Sequence, residues 1–153
     1  MPWDGSDLWV GDFQEAHLSN MQQVAGSETE SIFQPQWSPQ GILHFISDKS
    51  GFWNLYKLGK EGVEAICPKK AEFGLPQWVF GLSTYAFLGD QILATYEEKG
   101  VWQVATLPPF KKLEIPGSYF SQIKIQDGHI AFIQGSFSEG KSIAYLPLPT
   151  VDF

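Results

Sequence analysis

The sequence predicts an all-β protein built as a partial β-propeller of about three and a half four-stranded antiparallel blades. Three observations support this prediction. Turn residues and aromatics are abundant, with 15 Gly, 10 Pro, 12 Phe, 6 Trp and 5 Tyr among 153 residues, a composition that favours strands and turns over helices. Short apolar segments alternate with turn signals, and one motif recurs at a spacing typical of propeller blades.

The clearest element is the segment 37–58, WSPQGILHFISDKSGFWNLYKL, which has the pattern of nearly a whole blade. A strand ends at Trp37, a tight Gln-Gly turn follows, and residues 42–46 form an apolar strand. A polar Ser-Asp-Lys-Ser-Gly connection leads to a second strand at 53–58. Both faces of 42–46 are largely apolar, which predicts a sheet covered on both sides.

The motif Pro-Gln-Trp occurs at 35–37 and again at 76–78, after 41 residues. Such a period predicts one blade per repeat. The strands expected after the first motif are 42–46, 54–58 and 63–66, and those after the second are 85–88, 92–96, 102–107 and 112–115.

A third, fainter copy begins near Tyr119, passes an Asp127-Gly128 turn and continues to Leu146. The N-terminal residues 7–13 and 22–25 resemble only the third and fourth strands of a unit. We therefore expect a single domain over residues 1–153, and an ordinary antiparallel meander or sandwich is the alternative. The expected blades are 1–28 (a half blade), 29–68, 69–116 and 117–153.

Charge and cysteine content exclude several classes of function. The net charge is −7, with ten lysines and no arginine, which argues against nucleic-acid binding. Cys67 is the only cysteine, so no intrachain disulfide is possible and a reducing cytosol is expected. Neither an apolar run of membrane-spanning length nor a signal peptide is evident. We expect a cytoplasmic chain without membrane contact.

The Trp-Ser-Pro-Gln-Gly, Ser-Asp-Lys-Ser-Gly and Asn-Leu-Tyr-Lys-Leu series resembles the repeats of TolB-like propellers and of the non-catalytic propeller of prolyl oligopeptidase family serine peptidases. The stretches PWDGSDLWV (2–10), ESIFQPQWSP (30–39) and AEFGLPQWVFG (71–81) are similar to the propellers of bacterial acylaminoacyl-peptidase or dipeptidyl-aminopeptidase types. The resemblance covers most of residues 2–110. It implies a propeller of about seven blades followed by an α/β-hydrolase domain with a Ser-Asp-His triad.

The catalytic half that the resemblance implies is not found in this sequence. A nucleophile elbow requires Gly-x-Ser-x-Gly, and the nearest string, residues 81–85 (GLSTY), has Tyr85 in place of the second glycine. His17 lies in a predicted polar connection, and His44 and His129 lie on predicted strands, where a structural role is expected. We therefore predict no catalytic residue, cofactor or metal site, and substrate contacts remain unassigned. The acidic residues considered as ligands, and rejected for loose spacing, are Asp48, Glu61 and Glu64.

Other candidates have a structural and a functional interpretation. The Glu97-Glu98 pair resembles the glutamates that hold a substrate amine in some dipeptidyl-peptidases, but its sequence context predicts an exposed hairpin turn. We expect solvated turns rather than anion sites at the lysine pairs 69–70 and 111–112. Three tryptophans could line a peptide channel, although packing between blades is favoured; these are Trp53, Trp78 and Trp102.

The favoured function is a substrate-gating propeller fragment of a serine peptidase, inactive by itself because the hydrolase domain is absent from this chain. The resemblance implies peptide substrates and exclusion of folded proteins. The alternative is a stand-alone TolB-like propeller that binds proteins or peptides. Because an incomplete propeller leaves apolar faces uncovered on its end blades, we also expect association of two copies through those faces.

Overall fold

The computed structural model describes residues 1–148, which form thirteen β-strands and no helix. Consequently, no helix in this part of the chain could cross a membrane. The strands are β1 (Ser6–Gln14), β2 (His17–Ser27), β3 (Ile32–Trp37), β4 (Leu43–Ser47), β5 (Asn54–Gly59), β6 (Gly62–Ala65), β7 (Tyr85–Leu88), β8 (Gln91–Glu98), β9 (Val101–Leu107), β10 (Lys111–Leu113), β11 (Tyr119–Gln126), β12 (His129–Gly135) and β13 (Ser142–Pro147).

The strands form four antiparallel sheets, each from a consecutive stretch of chain. The first sheet contains β1 and β2, the second β3 to β6 in order, the third β7 to β10 in order, and the fourth β11 to β13 in order. Sequential antiparallel neighbours joined by short turns are the pattern of a meander, the unit from which propeller blades are built. The all-β prediction is confirmed.

The chain divides into two compact units. The first comprises residues 1–69 and 74–78, and the second comprises residues 70–73 together with the chain from residue 79. The first unit holds the first two sheets, whose facing sides bury Leu8, Ile32, Leu43, Phe45 and Tyr56. Both faces of β4 are buried, as the absence of apolar and polar alternation predicted.

The second unit holds the third and fourth sheets. Their shared core contains Leu93 and Val104 from the third sheet and Phe120, Ile130 and Phe132 from the fourth. The rings of Phe120 and Phe132 pack with their centroids 5.8 Å apart. We expect these apolar contacts between the two sheets to contribute most of the stability of the second unit.

Two hairpin turns follow the sequence signals directly. Lys99 and Gly100 both have positive φ between β8 and β9, as do Asp127 and Gly128 between β11's end and β12. Positive φ at both central positions is the geometry of a two-residue hairpin turn with the twist that strands require. Both turns were expected from the sequence.

The second Pro-Gln-Trp motif does not repeat the structure of the first. Residues 35–37 end strand β3, whereas residues 76–78 lie in an irregular connection before β7. There the Trp78 N–H donates to the Pro76 carbonyl at 3.0 Å, which closes a local turn in place of strand pairing. The strands expected after each motif are present, but the two copies of the motif lie at different positions relative to the first strand of their sheets, so the 41-residue recurrence is not an exact structural register.

At the N-terminus both expected strands are present, but they are longer than predicted and pair with each other along almost their whole lengths. Strand β2 begins at His17, so the prediction that this residue lies in a polar connection is wrong. Large apolar side chains remain exposed on this first sheet and on the fourth, including Phe13 (71%), Leu18 (64%) and Ile143 (80%). The single-domain assignment and its blade limits stay predictions.

Candidate functional site

Ser83, the serine nearest to a nucleophile motif, has a structural role. Its side chain is 3% exposed, and its Oγ donates to the Ile123 carbonyl at 2.8 Å and lies 3.3 Å from the Tyr85 carbonyl. The Ile123 N–H donates in return to the Ser83 carbonyl at 3.2 Å. Because the hydroxyl is enclosed and engaged with backbone, the geometry gives no support to nucleophilic attack at this position.

His44 and His129 each contact a neighbouring backbone carbonyl rather than a catalytic partner. His44 is buried, and its Nδ1 lies 2.9 Å from the Ile42 carbonyl. Burial, with a smaller contribution from Lys57, lowers the pKa of His44 against the opposing effect of that carbonyl. His129 contacts the Asp127 carbonyl through Nδ1 at 2.9 Å and stacks on Tyr145 with ring centroids 4.7 Å apart.

Cys67 is half-buried, and burial raises the pKa of its thiol despite the opposing charge of Lys69. A raised pKa lowers the fraction of reactive thiolate at neutral pH. The structure therefore favours the structural interpretation of this residue.

Two of the acidic candidates, Glu97 and Asp48, accept hydrogen bonds from backbone N–H groups. The Glu97 carboxylate accepts the Gly100 N–H and so closes the β8–β9 hairpin. Asp48 accepts the Ser31 N–H at 2.8 Å through Oδ1. No group of three or more His, Cys, Asp or Glu among residues 1–148 is placed to hold a metal ion.

The lysine pairs 69–70 and 111–112 do not show the converging positive charges of an anion-binding site. Lys112 forms an exposed ion pair with Glu114 at 3.7 Å, and Lys111 lies beside an apolar groove. At Lys69 the backbone N–H and carbonyl bind the Asn54 amide at 2.9 and 3.0 Å. This pair of bonds holds the segment after β6 against β5.

The three tryptophans that could either line a peptide channel or pack between blades differ in their surroundings. Trp53 packs edge-on against Phe33 with centroids 6.2 Å apart, and Trp102 packs against the core of the second unit. Trp78 is 68% exposed and stacks, tilted by 40°, on Trp3 at a centroid distance of 4.4 Å. Packing between sheets is found for Trp102, whereas Trp53 packs within its own sheet and Trp78 is largely exposed.

Trp3 and Trp78 are held beside the free edge of β3. The Ile32 N–H donates to Ser6 Oγ at 2.8 Å, and the Ile32 carbonyl accepts a hydrogen bond from the Gln77 amide. Two side chains from distant parts of the sequence thereby satisfy backbone groups that an edge strand otherwise leaves unpaired. The same two bonds position the segments that carry the tryptophan pair.

Further along β3, the chain bulges between Phe33 and Gln36, with Gln34 at a φ of 47°. The Gln34 amide donates to Gln36 Oε1 at 3.3 Å, and Trp37 is 54% exposed at the end of the strand. Pro35 lacks an N–H and further disfavours pairing of this edge with another strand. We call the side chains beside this edge the β3-edge group: Trp3, Gln34, Gln36, Trp37, Gln77 and Trp78.

The β3-edge group carries no charge and no titratable side chain. Its indole faces can contact apolar or proline side chains, and its amides can donate to and accept from a peptide backbone. This chemistry suits binding without proton transfer. Sequence reasoning considered Trp78 but missed the rest of the group, because Trp3 and Gln77 reach β3 only through tertiary contacts.

Comparison with known proteins gives a consistent result at the level of structure. No protein-family model matches the sequence, and no curated protein matches it significantly. A puromycin-hydrolysing peptidase of Mycobacterium tuberculosis matches 98% of this chain with a TM-score of 0.88 and 28% sequence identity. Two crystal structures of puromycin hydrolase match 96% of the chain at 22% identity, with TM-scores of 0.86 and 0.85.

The chain spans only about a quarter of these peptidases, 24% of the first and 23% of the other two. The matches place its four sheets in a propeller-like fold. They confirm the resemblance drawn from the sequence motifs: this chain is similar to a propeller portion of a prolyl oligopeptidase family peptidase.

Proposed function

We propose that this chain is a substrate-gating part of the propeller of a serine peptidase, with catalysis supplied by an α/β-hydrolase domain outside it. The observation that carries the proposal is the structural match over nearly the whole chain to a quarter of a puromycin-hydrolysing peptidase. The enclosed Ser83 and the separate structural roles of His44 and His129 support an inactive chain.

Within this proposal, the β3-edge group contacts short peptides as they pass. Exposed Trp37 and the Trp3–Trp78 pair offer aromatic surface, and three glutamine amides provide sequence-tolerant hydrogen bonds to a peptide backbone. Such contacts are weak individually, which allows passage rather than retention. We further propose a cytoplasmic location, in keeping with the single half-buried cysteine.

The test of the gating proposal begins with the reading frame that contains this chain. A downstream Gly-x-Ser-x-Gly followed by Asp and His would support it. A frame that ends at Phe153 with no hydrolase gene beside it would contradict the peptidase assignment and favour an independent interaction module. The purified chain should show no hydrolysis of aminoacyl or dipeptidyl amides, and measurable turnover would refute the inactive assignment.

The contact role is tested by titrating short peptides into the purified chain and following tryptophan emission. We expect weak, saturable changes that Trp37→Ala and Trp78→Ala reduce. Trp9→Ala is the matched control, since Trp9 is also exposed (48%) but lies on β1 outside the β3-edge group. Equal reduction by all three variants would show that the signal does not come from the β3 edge.

A further inference from the structure

A short turn before β7 exposes one aromatic residue completely. Residues 78–81 are all exposed, and Phe80 is 100% exposed, more than any other large apolar side chain of residues 1–148. Gly81 follows with a φ of 81°, and the space that a Cβ would occupy there is open. The peptide bond between Phe80 and Gly81 is therefore accessible from solvent.

The backbone of this turn lacks the hydrogen bonds that hold the residues on either side of it. Before the turn, the Gln77 amide donates to the Ile32 carbonyl, and after it Ser83 is bonded to Ile123. Among the turn and loop hydrogen bonds between backbone groups of residues 1–148, none involves residues 79–81. Proteases cut preferentially at exposed loop tips of this kind, since binding such a segment requires little local unfolding.

Other exposed phenylalanines are held by local structure. Phe13 is 71% exposed, but it lies in β1 and is paired with β2. Phe137 is 90% exposed, but the Ser136 N–H donates to the Glu139 carbonyl at 3.2 Å, which closes the turn around it. Ser136 Oγ also accepts the Glu139 N–H at 3.0 Å. Phe80 differs from both because full exposure and an unpaired backbone coincide there.

A cut in this turn would leave residues 71–73 on the N-terminal fragment, although they belong to the second unit. The Glu72 N–H donates to the Glu97 carbonyl at 2.9 Å, and the Glu97 N–H donates to the Glu72 carbonyl at 2.8 Å. Phe73 is 1% exposed and stacks on Tyr96 with ring centroids 5.4 Å apart. These contacts join residues 71–73 to β8, which would lie on the C-terminal fragment.

We propose that the Phe80–Gly81 bond is a processing site for proteases with an apolar specificity pocket, and that the cut chain stays together through residues 71–73. The Phe80 ring is the kind of side chain that such a pocket binds. Hydrolysis adds one water molecule across the amide: the C–N bond breaks, Phe80 gains a carboxylate and Gly81 gains an amino group. Both new charged groups form in an exposed turn, where water solvates them.

The contacts of residues 71–73 do not depend on an intact turn. The two hydrogen bonds with Glu97 and the stacking on Tyr96 involve no residue of the range 78–81. The burial of Phe73 is the largest of these contributions, because burying a phenylalanine side chain stabilises more than one net hydrogen bond does. Phe73 is therefore the residue whose truncation should release the two fragments from each other.

Limited digestion of the full chain with chymotrypsin, followed by intact mass measurement, tests the site. We expect the first products to be fragments 1–80 and 81–153, which elute together in native size exclusion and separate in urea. Phe80→Ser should slow this first cut roughly tenfold or more, because the aromatic side chain is lost. Phe137→Ser is the matched control, since it removes a 90% exposed phenylalanine elsewhere and should leave the first cut unchanged.

The role of residues 71–73 is tested separately. Phe73→Ala should weaken association of the two fragments roughly a hundredfold, so that they separate on dilution, whereas Phe73→Leu keeps an apolar side chain and should retain association. If Phe73→Ala does not fold, hydrogen exchange in the wild-type chain decides the point. The Glu97 N–H, which donates to Glu72, should exchange equally slowly before and after the cut.

Three results would overturn the proposal. A first cut at any other bond would contradict the assignment of the site. Separation of the wild-type fragments without denaturant would contradict their retention. Rapid exchange of the Glu97 N–H in cut protein whose fragments still elute together would show that contacts other than those of residues 71–73 hold the fragments.

Discussion

Replacing Ser83 with alanine tests whether this serine holds the fold rather than performs chemistry. The substitution removes the hydrogen bond from Ser83 Oγ to the Ile123 carbonyl, and Ile123 is fully buried. The backbone bond from the Ile123 N–H to the Ser83 carbonyl does not involve the side chain. The substitution also removes the longer contact of Ser83 Oγ with the Tyr85 carbonyl, and its main effect is to deprive the Ile123 carbonyl of its hydroxyl partner.

Leaving a buried polar group without its partner costs about 1–3 kcal/mol. With a urea m-value of about 2 kcal/mol per molar, a loss of about 1.5 kcal/mol would lower the denaturation midpoint by roughly 0.7 M. Far-ultraviolet circular dichroism in a urea titration would measure this shift. Ser142→Ala is the matched control, because Ser142 is exposed on β13 and should change the free energy of unfolding by less than about 0.5 kcal/mol.

Unchanged stability of Ser83→Ala would refute the structural assignment. A covalent adduct of a fluorophosphonate at Ser83 in the folded wild-type chain would refute it in a different way, since the side chain would then be accessible and nucleophilic. Equal destabilisation by Ser142→Ala would show that the observed change does not report the Ile123 bond.

The remaining predictions concern the core, pH and self-association. Phe45→Ala empties a fully buried position and should lower the free energy of unfolding by about 3–5 kcal/mol in urea titrations, unlike large-to-small changes at exposed sites. Because the pKa of His44 is lowered in the folded chain, its contribution to stability is present above its unfolded pKa of about 6.5 and is lost as pH falls below it. His44→Gln should flatten this loss in urea midpoints measured from about pH 7 to 5, and an unchanged slope would assign the dependence elsewhere. If two copies cover the outer face of β13, Tyr145→Lys should weaken association in sedimentation roughly tenfold while Phe137→Lys does not; a strictly monomeric wild type at micromolar concentration would exclude this contact.

The sequence predicted most strands because strand position depends on local pattern. The unbroken apolar run around Phe45 gave a strand covered on both faces, and Asp127-Gly128 gave a hairpin turn because both residues tolerate positive φ. These signals lie within a few residues of the structure they determine. They do not depend on which distant segment packs against them.

Prediction failed where the decisive partner was distant in sequence. Pro76-Gln77-Trp78 matches Pro35-Gln36-Trp37 in letters, yet Gln77 binds the Ile32 carbonyl 45 residues away instead of entering a strand. Ser83 was correctly not assigned as a nucleophile, but its bond to Ile123, 40 residues away, could not be foreseen from the sequence. The β3-edge group consequently could not be assembled from spacing alone, although Trp78 was recognised as a residue with two interpretations.

Two sheet edges are closed by residues from distant parts of the sequence. At β3, Ser6 and Gln77 satisfy Ile32, and a bulge with Pro35 interrupts the edge. At β11, Ser83 satisfies both backbone groups of Ile123, again beside a bulge. In both places distant polar groups and a bulge remove the backbone groups that a further strand would need for pairing. Since edges are blunted where pairing with another strand would be harmful, these two edges are suited to face solvent.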